Sequence, residues 1–106
     1  MGNRAMAEIK TSHGSLFFYT HWSGSELPGI AKQALNEAEP RIGDEPYALK
    51  IVVDALIRLT GLRDKETGAG LMLKPNAEDE YNHNKPSVLI DITKNKITVL
   101  RHSQGE

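Results

Sequence analysis

The stretch Ser87-Val88-Leu89-Ile90-Asp91-Ile92-Thr93-Lys94-Asn95-Lys96-Ile97-Thr98-Val99-Leu100 decides the fold class. Val88 to Thr93 and Ile97 to Arg101 alternate in polarity and are rich in β-branched residues, the pattern of half-buried strands. Lys94-Asn95-Lys96 between them is polar, and asparagine tolerates the left-handed backbone that a tight reversal needs. The segment therefore predicts an antiparallel hairpin. Val88, Ile90, Ile92, Ile97 and Val99 share one face; Leu89, Asp91, Thr98 and Leu100 take the other.

A second hairpin lies near the start of the chain. Ile9 to Thr11 and Leu16 to Trp22 predict two strands joined through Ser12-His13-Gly14-Ser15, with Gly14 supplying positive φ. In the second of these, Leu16, Phe18, Thr20 and Trp22 point one way, and Phe17, Tyr19 and His21 the other. Between the hairpins the period changes to 3.6. Leu27, Ile30, Ala31, Ala34, Leu35 and Ala38 form one helical stripe, with Ser25 expected at the N-cap, Glu26 and Pro28 in the first turn, and Pro40 as the stop. A second helix is expected from Asp44 to Thr60, with Pro46 in its first turn and Gly61 beyond its end. Its stripe of Ala48, Val52, Ala55, Leu56 and Leu59, widened by Leu49, Val53 and Ile57, predicts the central helix. Leu71-Met72-Leu73 is a short strand, and residues 62–70 and 76–86 read as loops.

The expected order is ββααβββ, an α+β fold with an antiparallel or mixed sheet and both helices packed on one face. At 106 residues the chain has room for one core. Residues 9–102 are expected to form that domain, with flexible tails at 1–8 and 103–106.

Composition excludes several functions. The chain has no cysteine, which removes disulfides, thiolate nucleophiles and cysteine-bound zinc. Thirteen basic against fourteen acidic residues leave a net charge of −1, without the basic surplus of a general nucleic-acid binder. No apolar run approaches the length of a membrane span. Residues 1–6 lack the apolar core of a signal peptide, and Met6 stands where myristoylation wants Ser or Thr. A cytoplasmic location is the expectation. His13, His21, His83 and His102 show no ligand spacing, so neither a metal site nor a cofactor is expected.

The densest functional stretch is Tyr19-Thr20-His21-Trp22-Ser23-Gly24-Ser25-Glu26-Leu27-Pro28, running from a strand into a helix. Free first-turn amides and the positive helix end make such a junction an anion site. Gly24 admits close approach, Ser23 and Ser25 offer hydroxyls, His21 a charge, and Trp22 a stacking surface. The glycine-rich Thr67-Gly68-Ala69-Gly70 is a candidate second wall. The predicted ligand-binding set is therefore Thr20, His21, Trp22, Ser23, Gly24, Ser25, Gly68 and Gly70. Ser25 as a helix cap, Trp22 as core filler and a turn at 67–70 are the competing structural explanations. Glycine spacing and lysine do not match a nucleotide loop. Ser23, His21 and Asp91 make a hydrolytic triad only on paper, with no nucleophile-elbow pattern behind it, so no catalytic residue is assigned. The acidic run Glu78-Asp79-Glu80 reads as a solvated loop.

The segment Gly14-Ser15-Leu16-Phe17-Phe18-Tyr19-Thr20-His21-Trp22-Ser23-Gly24-Ser25-Glu26-Leu27-Pro28 resembles one in a group of small uncharacterised bacterial and phage proteins. There a Tyr-Thr-His-Trp stretch precedes a helix, an "EPY"-like second helix, a "TGYGI"-like strand and a closing hairpin. Asp44-Glu45-Pro46-Tyr47-Ala48 and Thr67-Gly68-Ala69-Gly70-Leu71 continue the likeness, which departs at Ala69 and at the longer loop 76–86. The resemblance implies a bacterial or mobile-element source and carries no activity.

Three functions compete on this reading. The first is a non-enzymatic module binding an anionic or nucleotide-like ligand at residues 20–25. The second is a protein-interaction module acting through the outer sheet face or an edge strand. The third is a small hydrolase using His21. Phe17, Tyr19, Leu89 and Leu100 on the outer face predict an interface, most simply with a second copy of the chain.

Overall fold

Strand β1 spans Ala5–Thr11 and turns into β2, Gly14–Thr20, in a computed structural model that describes residues 5–20, 26–60, 69–73 and 87–100. Thr11 pairs with Gly14 across the reversal, and Gly14 takes φ 130°. The Thr11 hydroxyl donates to the Gly14 carbonyl at 2.8 Å and accepts from the His13 amide at 3.1 Å, closing the turn on itself. β1 starts before the expected Ile9, so Ala5 to Glu8 are strand rather than tail. The alternation is hard to see at its start because Ala5, Met6 and Ala7 are apolar in succession; only Glu8 and Lys10, on the face of Met6, reveal it further along.

Helix α1 runs Leu27–Ala38, a single 3-10 turn covers Glu39–Arg41, and helix α2 runs Glu45–Thr60. Pro40 ends the α-helical ladder, as expected, but the chain tightens into that turn before leaving. Asp44 stands at the start of α2, its carbonyl accepting from the Ala48 amide at 2.9 Å. Three further strands follow: β3 Ala69–Met72, β4 Val88–Asp91 and β5 Lys96–Val99. Asn95 in the last turn has φ 52°, the left-handed position expected of it.

The element order is ββααβββ, and the fold is α+β with a mixed five-stranded sheet ordered β3-β2-β1-β4-β5. β1 and β4 are parallel; the other neighbours are antiparallel. The parallel pair is tied at both ends. Buried Ser87 donates its amide and its hydroxyl to the Met6 carbonyl, at 2.8 and 3.2 Å, and the Ile92 amide donates to the Lys10 carbonyl at 3.0 Å.

These registers put Ala5, Ala7, Ile9, Phe18, Val88, Ile90 and Ile92 on one face, where they form a single core with Leu27, Ala31, Ala34, Leu35, Ala48, Val52, Ala55 and Leu56 of the helices. Small alanines at the contact let the helices approach the sheet closely. α1 lies over β1, β4 and β5, and α2 over β1 and β2. α2 touches both the sheet and its neighbour helix, as its broad stripe predicts, and α1 shares the layer with a stripe that, though rich in alanine, is buried along its length. Arg58 of α2 pairs with Glu37 of α1 and lies 3.9 Å from Asp54.

Candidate functional site

β2 ends on Thr20, which is fully buried and pairs with Ala69, while Tyr19 pairs with Gly70. The register therefore sets the start of β3 directly beside the end of β2, the adjacency that a two-walled site at this junction requires. Of the predicted ligand-binding residues, Thr20 and Gly70 fall within the described structure. His21, Trp22, Ser23, Gly24, Ser25 and Gly68 lie outside the described residues, as does the run Glu78-Asp79-Glu80. A Cβ built on Gly70 would meet nothing within 4 Å, so close packing does not demand glycine there.

α1 begins differently from the sequence expectation. Glu26 occupies the cap position with helical φ and ψ and makes no side-chain cap hydrogen bond; it is not a first-turn residue. The α-helix starts one residue later than expected, with Pro28 in its first turn, where no amide hydrogen is needed.

The face of the sheet away from the helices carries Met6, Phe17, Tyr19, Leu89, Met72 and Thr98. Phe17, Tyr19 and Leu89 stand where the alternation placed them. Their exposure is more limited: Met6 is 2% and Phe17 9% exposed, and Tyr19 and Leu89 are half-buried. Leu100 follows β5 and is 47% exposed. Apart from Tyr47, the large apolar side chains left exposed among the described residues gather at the two sheet edges. Leu71 and Leu73 mark β3; Val99 and Leu100 mark β5.

Beside the β5 edge a groove of about 620 Å3 opens between that strand and α1. Leu35, Ile97 and Val99 supply its apolar lining, Pro28 and Gly29 its end, and Lys32, Asn36 and Glu39 its polar wall. Composition and helix periodicity signal none of this. The groove lies where α1 passes over β4 and β5 at the end of the sheet, with no further described strand beyond β5 to close it.

A polar cluster was equally hidden. Glu45, in the first turn of α2, accepts from the Ser12 hydroxyl at 2.7 Å and from the Ser12 amide at 3.1 and 3.3 Å. His13 Nδ1 lies 3.2 Å from the Ser12 hydroxyl and 3.7 Å from the Glu45 carboxylate. The Ser12 hydroxyl, then its amide and the neighbouring His13, hold the Glu45 carboxyl below its ordinary range against a smaller opposing effect of burial. Serine, histidine and carboxylate meet here, but the serine proton is directed at Glu45 and the imidazole is 91% exposed. The arrangement pins the first hairpin to the start of α2 and does not activate a nucleophile.

Asp91, the aspartate of the paper triad, is buried and engaged locally. It accepts from the Thr93 hydroxyl at 2.5 Å and the Lys94 amide at 3.2 Å. The Thr93 hydrogen bond leads, with the Lys94 amide and the charge of Lys10, in lowering its carboxyl below the usual value despite burial. It is a turn carboxylate of the second hairpin. No group of three or more metal-ligating side chains occurs among the described residues, and no helix there is long and apolar enough to cross a membrane. Set against protein-family models, curated proteins and solved structures, the chain returns no match in any of the three comparisons, and its likeness at residues 14–28 remains a resemblance.

Proposed function

We propose that the chain is a non-enzymatic binding module that engages a protein partner through an edge of its sheet. The observation carrying this reading is where the exposed apolar side chains lie. Leu71, Leu73, Val99 and Leu100 cluster on the outermost strands, whereas Met6 and Phe17 on the helix-free face are already buried within one chain. An edge strand offers unpaired main-chain donors and acceptors as well as side chains, and natural sheets protect such edges unless they are used. Paired substitutions test it: Leu71→Asp with Leu73→Asp on β3, and Val99→Asp with Leu100→Asp on β5. Loss of a defined partner with either pair, and retention with Phe17→Ala, supports edge binding. Retention with both pairs refutes it.

A second reading has its own support. The pairing of Thr20 with Ala69 and of Tyr19 with Gly70 sets the strand ends that lead into residues 21–25 and out of residues 67–68 side by side, and α1 opens without a side-chain cap from Glu26, which supports this reading. An anionic or nucleotide-like ligand at residues 20–25 fits that setting. Thermal-shift screening of nucleotides and phosphates, repeated on a His21→Ala, Trp22→Ala variant, is the test. A ligand at 100 times its Kd stabilises by about 2.7 kcal/mol, and the absence of any shift rejects this reading.

A further inference from the structure

β5 is the last of the described strands in the sheet, and its register with β4 fixes which of its main-chain groups meet no other described strand. The Leu100 amide donates to the Ser87 carbonyl at 2.8 Å, extending the β4 pairing of Leu89 with Thr98 and of Asp91 with Lys96. In an antiparallel pair the hydrogen-bonded positions alternate. Lys96, Thr98 and Leu100 therefore direct their main-chain groups at β4, and Ile97 and Val99 direct theirs away from it. The same two residues send their side chains to the helix face, where they line the groove beside α1. Two residues thus present a strip of donors and acceptors along the edge and an apolar recess directly next to it.

The charges in the groove lining lean positive, two lysines against one acid. Lys32 stands on the helix wall of the groove. Lys96, which the register assigns to the helix-free face, bounds its mouth. Neither is in an ion pair among the described residues, and Glu39 is the one acid in the lining. A lysine on an edge strand discourages pairing with an uncharged or like strand, and the same cation attracts a strand that carries carboxylates.

We propose that the free edge of β5 captures an extended, acidic peptide segment as a sixth strand, a proposal that rests on the edge-binding reading above. The incoming strand bonds to the Ile97 and Val99 main chain. Alternate side chains on its helix side enter the groove against Leu35, Ile97 and Val99, with a carboxylate meeting Lys32. Carboxylates on the other side meet Lys96. Affinity comes from the ladder and specificity from the alternate side chains, as in strand addition generally.

The test uses the full chain, isotope-labelled, titrated with a synthetic octapeptide of repeat valine–valine–glutamate–glutamate, which sets both residue types on each face of a strand, and with its valine–lysine counterpart. The glutamate peptide is expected to bind about ten-fold more tightly than the lysine peptide, with amide shifts centred on Ile97, Val99 and the Lys32 turn of α1. Val99→Pro removes a donor on the free edge and no bond to β4, so it is expected to abolish binding while the thermal midpoint stays near wild type. Lys32→Glu, an exposed helix change that does not touch the ladder, is expected to reverse the preference between the two peptides. Equal affinity for both peptides, or indifference to Lys32→Glu, overturns the proposal. So does a wild-type dimer that Val99→Pro converts to monomer, because a second copy then occupies the edge. Shifts confined to β3 around Leu71 reject β5 and leave the edge-binding reading intact. No shift at either edge with either peptide rejects both.

Discussion

Leucine-to-alanine changes at three positions measure how much of each side chain the fold removes from water. Leu56 on α2 is fully buried, Leu71 on β3 is 48% exposed, and Leu73 just beyond it is 78% exposed. Each substitution deletes the same three carbons, worth about 0.8 kcal/mol apiece when fully buried, or about 2.4 kcal/mol in all. At Leu56 a cavity adds to that, because Val52, Ala55 and the sheet residues around it cannot all collapse inward; about 3–4 kcal/mol is expected, inside the range for core leucines. At Leu71 about half the transfer value applies and no closed cavity forms, giving about 1.2 kcal/mol. At Leu73 about 0.5 kcal/mol remains. For a domain of this size each kcal/mol moves the thermal midpoint by about 4–8 °C. Leu56→Ala should therefore fall by at least about 12 °C, and Leu73→Ala by no more than about 4 °C. Calorimetry or circular dichroism at low protein concentration reads all three. A Leu73→Ala loss equal to that of Leu56→Ala would refute the burial assignment and show that the β3 edge is covered in solution.

Gly14→Ala is expected to cost about 1–2 kcal/mol through backbone strain alone, since φ is 130° and a Cβ there meets nothing within 4 Å; Asn95→Gly in the other turn, at φ 52°, should lie close to neutral in the same melting assay. The Glu45 carboxyl is held low in the folded state, so its hydrogen bonds stabilise the fold above the unfolded carboxyl value and are lost as pH falls through the folded one. Wild type should thus lose stability on acidification below about pH 4.5 more steeply than Glu45→Gln, whose acid limb should be flatter. Asp91→Asn should flatten the acid limb in the same direction, because its carboxyl is also lowered, and should loosen the β4–β5 turn as read by amide exchange at Lys94 and Asn95.

Much of the fold was legible in local pattern. Alternation through Val88–Thr93 and Ile97–Val99, the stripe from Leu27 to Ala38, and the turn residues Gly14 and Asn95 each state their conformation within a few residues, because pleat, helix repeat and left-handed backbone are local properties. The start of β1 was not legible, since Ala5, Met6 and Ala7 are apolar on both faces and hide the period. Nor was the tie from Ser12 to Glu45, which joins residues 33 apart through one carboxylate. The junction at Thr20 was recognisable as a place of interest from its residue types, and the pairing that sets Ala69 and Gly70 beside it was not.

Chain chemistry alone settled the ββααβββ order, the one-sided helix layer and the absence of thiol chemistry. It could not say that β1 would pair in parallel with β4, that β3 and β5 would become the edges, or that α1 would leave a groove along β5. Those features depend on strand order and register, which arise when distant segments compete for the same core and for the same main-chain partners. A strand carries the pattern of its faces in its own residues; which neighbour satisfies each of its edges is written nowhere within it.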